Sequence, residues 1–251
     1  MRHTILAHVF VLLSLFPAAA MVGGAAPAGP AGDSVVTLVS PHGSCSGVAL
    51  ASSLVLTAAH CVRPGFDYKI AEYDNSNNLK LKDVAVVRRH PGFDATAAER
   101  NLASADVALL KIGTALRSRP AGIAPAGSTV AAGDRLVVVG TGLATPGEGK
   151  SGGTARAAQL VVTGQPGSLQ IRLMDPATRG EQAGLGACTG DSGAPAFRDH
   201  NGRLLVIGIV SWTTGPKLSE GCGGLTGVTP LTRYRAWIVD TAKALGNPLN
   251  P

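Results

Sequence analysis

The sequence predicts an all-β protein built in two halves and finished by one α-helix, and three observations carry that prediction. Glycine and proline are abundant, 33 and 16 in 251 residues, which supplies turns at close intervals. Short runs rich in Val, Leu and Ile recur between those turns in two sets. The one good helical pattern comes last, where Leu231, Tyr234, Ile238, Thr241, Ala242 and Leu245 repeat at helical spacing before Gly246 and Pro248 stop them.

Taken in order, the first half is expected to place strands at 35–40, 47–57, 79–88 and 106–112. A stretch dense in Ala, Gly, Pro and Ser at 113–133 reads as the connector to the second half. Strands are then expected at 135–140, 155–162, 169–173, 204–212 and 226–229, followed by the terminal helix. With 45% hydrophobic and 15% charged residues, the chain is neither a disordered tail nor a charge-rich coiled coil. The net charge of +6, from 22 basic and 16 acidic residues, comes without an arginine-rich helix or a basic run. Nucleic acid is therefore not an expected partner.

The N-terminal 20 residues read as a secretory signal: Arg2, an apolar run, then Pro17 and Ala18-Ala19-Ala20. A competing reading is an uncleaved membrane anchor, which the glycines and prolines of 23–32 would end poorly. Export implies an extracellular or periplasmic protein with no membrane association after cleavage. It also places Cys45, Cys61, Cys188 and Cys222 where disulfides form. Four cysteines allow three connectivities, and the sequentially local one would contribute about 3 to 4 kcal/mol per loop in the chain-entropy model. No C-x-x-C spacing suggests zinc, and no metal or organic cofactor is expected. Glu72, Asp74 and Asn75 could form a calcium loop, although hydrated acidic turns are commoner.

A serine attacks a carbonyl only when a base takes its proton, a carboxylate orients that base and backbone amides stabilise the oxyanion. Ser192 lies in Cys188-Thr189-Gly190-Asp191-Ser192-Gly193-Ala194-Pro195, where the glycines permit a tight turn aiming the Gly190 and Ser192 N–H groups into one hole. His60 ends an apolar strand in Leu56-Thr57-Ala58-Ala59-His60-Cys61, and Asp106 opens an apolar run that shields a carboxylate. His60, Asp106 and Ser192 are the candidate triad. His42, His90 and His200 lack such surroundings and read as surface residues.

T-A-A-H-C, Asp106 and G-D-S-G-A-P, in the order His, Asp, Ser, resemble the chymotrypsin/trypsin-like serine proteases over essentially the whole mature chain. The resemblance implies two six-stranded antiparallel β-barrels with a C-terminal helix, in a compact member of bacterial type. The first barrel would span about 21–115, the second about 134–230 and the helix about 231–246. It implies a secreted serine endopeptidase, a monomer that acts on polypeptides and is a target for protein protease inhibitors. It further implies that the α-amino group of Met21 pairs with Asp191 after cleavage behind Ala20. Ser211 would bond Asp106 or the substrate backbone, and Ser211-Trp212-Thr213 would form the edge on which a peptide pairs. Gly186 would sit at the base of the side-chain pocket, with Thr213 and Gly227 as walls. That pocket lacks the carboxylate a trypsin uses for Arg or Lys, so cleavage after small or medium apolar residues is expected. Ala105 and Ser46 depart from the family's usual Asn and Gly. An α/β-hydrolase esterase would show the opposite triad order, and a non-catalytic binding or adhesion module on the same fold is the alternative function.

Overall fold

The computed structural model describes residues 21–249 other than 75, 77 and 101, so the leader and Asn75 lie outside the described residues. Six strands close the first barrel: β2 (Val35–Ser40), β3 (Gly43–Ala51), β4 (Leu54–Thr57), β5 (Lys69–Tyr73), β6 (Leu79–Arg89) and β7 (Ala108–Ile112). A two-residue strand, β1 (Ala26–Pro27), precedes them. The order β2-β3-β4-β7-β6-β5 returns to β2, so no edge is left open. The expected run 47–57 is a hairpin, bent at Ser52-Ser53 with Ala51 opposite Leu54. Two short polar residues beside one another break the apolar run and turn the chain. β5 was not expected, because Lys69 and Glu72 dilute a five-residue strand.

The connector contributes β8 (Gly122–Ile123), which pairs in parallel with the second half. There, β9 (Arg135–Gly140), β10 (Arg156–Thr163), β11 (Ile171–Met174), β12 (Pro195–His200), β13 (Arg203–Thr213) and β14 (Thr226–Pro230) follow. They pair in the order β9-β10-β11-β14-β13-β12, and β12 pairs back onto β9 to close the second barrel. β10 alternates buried and less buried residues along its length, which turns Ala158, Leu160 and Val162 to the interior.

Each barrel fills with its own apolar cluster, and a third cluster lies between them. That third cluster joins Val48, Leu56 and Leu109 of the first half to Val139, Phe197 and Ile209 of the second. The helix α1 (Arg235–Ala244) adds Ile238 and Ala242 to it. Its end is capped by Asn247 N–H on Ala242 O and Gly246 N–H on Lys243 O, both bonds of a Schellman turn, with Gly246 at φ +73°. Ser53 Oγ donates to Asn247 Oδ1 at 2.9 Å, tying that end to the β3–β4 turn. His90 is not a free surface residue: its ring packs edge-on against Tyr234 and Trp237 at 5.0 Å each.

One domain boundary requires correction. Residues 21–27 belong with the second barrel, because Met21 and Ala25 enter its core and β1 pairs with β10. Among the cysteines, Cys45–Cys61 and Cys188–Cys222 are bonded, the sequentially local pairing, with separations of 16 and 34 residues. Glu72 is committed to Lys82 Nζ at 2.6 Å and to the amides of Arg117 and Ser118. Among the described residues no helix is long and apolar enough to cross a membrane.

Candidate active site

β4 is fully buried and ends in Thr57, after which Ala59–Cys61 makes a single 3-10 turn that brings His60 to the junction of the barrels. The Cys45–Cys61 bridge anchors this turn to β3. Asp106 lies just before β7, which pairs with β4 from Thr57 opposite Ala108, so both residues leave neighbouring strands at the same end. His60 Nδ1 is 2.7 Å from Asp106 Oδ2, and the His60 amide donates to Oδ1 at 2.9 Å. An ionised carboxylate only accepts, so the Nδ1 proton is fixed there and Nε2 of the neutral ring keeps its lone pair.

Asp106 is nearly buried. Burial alone raises its pKa, but the His60 ring, Ser211 and the His60 amide together outweigh it and hold the carboxyl below the usual carboxylate range. Ser211 reaches Asp106 through a β-bulge: Val210 faces Val228 and Trp212 faces Gly227, leaving Ser211 unmatched. Its Oγ donates to Asp106 Oδ2 at 2.6 Å.

Ser192 comes from the second barrel, on the turn between Cys188 and β12. Gly193 there has φ +82°, and a Cβ on it would lie 2.2 Å from Thr57 Oγ1. Only glycine fits, and the close approach presses the serine turn onto the histidine strand. Three amides of the turn have internal acceptors: Asp191 on Cys188 O, Gly193 on Val210 O and Ala194 on Asp191 O. Among the described residues, the amides of Gly190 and Ser192 have none. Ser192 Oγ makes no hydrogen bond either, and His60 Nε2 instead lies 3.8 Å from Cys61 Sγ. The serine–histidine link is thus the one expected triad contact that this geometry leaves unmade.

Asp191 is fully buried; its Oδ1 accepts from Gly142 N–H at 2.8 Å and its Oδ2 from Cys188 N–H at 2.9 Å. Burial pushes its carboxyl up to about 7 against those two bonds. Met21 is also fully buried, and Val22 bridges to Gly186, donating to its carbonyl at 3.1 Å.

Gly186 is buried against Gly223. At the expected wall, the bulge that leaves Ser211 unmatched sets Gly227 opposite Trp212. Trp212 lies over Gly227, where a Cβ would be 2.0 Å from Trp212 Cε2, while Thr213 pairs with Thr226. Thr226, missed in the sequence, is fully buried and accepts the Ala187 N–H at 3.0 Å. Thr213 Oγ1 donates to Ala187 O at 2.9 Å, so two threonines grip the residue following Gly186. The adjacent T-G would have signalled Thr226 only to a reader who knew that one bulged residue shifts the register. Trp212 Nε1 donates to Gln170 Oε1 at 2.9 Å beside a groove of about 580 Å³ that His60, Phe93 and Leu102 also line.

Two closed β-barrels that present a histidine–carboxylate pair and a glycine-framed serine turn at their junction have the architecture of a serine endopeptidase. The model of the trypsin family matches residues 21–238, and the chain belongs to that family. It is 27% identical to Trypsin-3 of Salmo salar over 217 residues, 82% of this chain and 85% of the relative. It is 28% identical to Serine protease 1 of Canis lupus familiaris over 225 residues, 83% of this chain and 84% of that one. Kallikrein-8 of Homo sapiens is 28% identical over 204 residues, 77% of this chain and 75% of its own. The chain is accordingly a serine endopeptidase, a hydrolase that acts on polypeptides.

Proposed function

We propose that this is a secreted endopeptidase in which Ser192 attacks the scissile carbonyl and His60 takes the serine proton and returns it to the leaving amine. Asp106 holds the imidazole and stabilises the imidazolium, the amides of Gly190 and Ser192 receive the oxyanion, and water then hydrolyses the acyl-enzyme. The observation that carries this reading is the 2.7 Å His60–Asp106 bond opposite a serine turn in which the amides of Gly190 and Ser192 have no acceptor. A small hydroxyl rotation and ring adjustment on substrate binding would complete the line, as apo catalytic contacts are commonly long.

Cleavage after small or medium apolar residues is supported by Gly186 and by the two threonine side chains clasped to Ala187, which narrow the pocket and offer no carboxylate. Activation by signal cleavage before Met21 is supported by the backbone there. Met21 sits at φ +53°, an unfavourable angle for methionine, and a chain that begins at Met21 has no such torsion. A free ammonium would also give buried Asp191 the charge partner it lacks.

Purified mature protein tests this by fluorophosphonate labelling, N-terminal sequencing and chromogenic peptides varied only at the residue before the bond. Labelling of Ser192, a terminus at Met21 and preference for Ala or Val are expected. Absence of labelling would return the chain to a binding role, and preference for Arg would overturn the pocket.

A further inference from the structure

We infer that Ser46 is a positioning residue that holds the anion cradle open from the first barrel, an inference that rests on the serine mechanism proposed above. Ser46 replaces a glycine usual at this place, yet its side chain is fully buried and fully used. Its Oγ donates to Gly190 O at 2.9 Å, accepts the Thr141 N–H at 2.9 Å and lies 3.1 Å from Thr141 Oγ1. Its own amide donates to Ser192 O at 2.8 Å. One residue of β3 therefore grips the carbonyls of Gly190 and Ser192, the residues that bear the two hole amides.

Those carbonyls belong to the peptide units 190–191 and 192–193, whose own N–H groups, of Asp191 and Gly193, are held on Cys188 O and Val210 O. Both units are therefore fixed at each end, and with them the Cα atoms of Gly190 and Ser192 that carry the two hole amides. The grip also reaches the Asp191 network, because Gly142, next to Thr141, donates to Asp191 Oδ1. Asp191 pins the turn from within the second barrel, and Ser46 pins it from across the junction. A hole held open this way acts on charge that develops only in the transition state, so its loss falls on kcat and leaves KM in place.

The test compares mature wild type, Ser46→Ala and Ser46→Cys for kcat, KM and thermal unfolding, with active sites titrated by a fluorophosphonate. Ser46→Ala should lower kcat about 10-fold, short of the roughly 10²–10³ lost with a whole oxyanion donor, and move KM less than about two-fold. Ser46→Cys should fall between it and wild type. A Ser46→Ala enzyme that melts earlier but keeps the wild-type kcat overturns the inference, as does a loss confined to KM. If Ser46→Ala does not fold, Ser46→Cys and Ser46→Gly decide it, wild-type kcat in either folded variant being the refuting result. A wild type that no fluorophosphonate labels refutes the serine mechanism itself, which is a different failure from unequal variants of a labelled enzyme.

Discussion

The two barrels prepare one reaction by different means. The first holds its chemistry in side chains: a histidine and a carboxylate on paired strands, locked by contacts of 2.7 and 2.9 Å. The second holds its part in backbone: a turn whose amides are sorted into bonded and free, and a bulge that turns Ser211 toward Asp106. The difference teaches where mutation will register. Changes to His60 or Asp106 should remove a chemical group, whereas changes in the second barrel, Ser192 apart, should move groups that remain.

The sharpest test of that division is Ser192→Ala, the one side chain the second barrel contributes to bond making. Its kcat should fall by about 10⁶ with the unfolding midpoint nearly unchanged. Asp106→Asn follows, with a kcat loss of about 10⁴ from the wrong imidazole tautomer. A comparable loss for any second-barrel backbone change would break the comparison.

Third is a chain that keeps one extra residue before Met21, expected to lose about 10²-fold in kcat as the cradle loosens. Its stability should also depend on pH with a definite sign. The folded Asp191 carboxyl titrates near 7, above its unfolded range, so the native state binds the proton more tightly. The Asp191 contribution to stability is therefore full below the unfolded carboxylate range and is lost as pH rises toward about 7, opposite in sign to that of Asp106, whose pKa is lowered. Chains starting at Met21, with an ammonium to pair, should lose that decline; unfolding midpoints of both forms from pH 4 to 8 check it. The smallest effect is expected from Thr213→Gly or Thr226→Gly, each of which should shift preference toward larger apolar residues before the bond by about 10-fold, read from kcat/KM on paired peptides.

Much of this was legible before any coordinates. His60, Asp106 and Ser192 carry distinctive neighbours, and strands such as β2 and β9 are short runs rich in Val and Leu whose ends match the pattern. The losses have local causes. Lys69 and Glu72 hide β5, because a barrel strand tolerates charge where it faces outward or finds a buried partner such as Lys82. Thr226 was hidden because an alternation read by eye does not count the extra residue at Ser211. The segment 21–27 was assigned by its place in the chain, while its apolar side chains pack across the molecule. Ser46 looked like a neutral departure, since a sequence does not show which carbonyl a hydroxyl will meet.

The capped end of α1, bound to the β3–β4 turn through Asn247 and Ser53, bears on how the junction of the barrels is closed. Ile238 and Ala242 cover the seam where Phe197 and Ile209 meet Leu56 and Leu109. Without α1 that seam is bare, and the halves have less to hold them in line. Docking of α1 is therefore the packing step that closes the junction at which His60 and the serine turn meet.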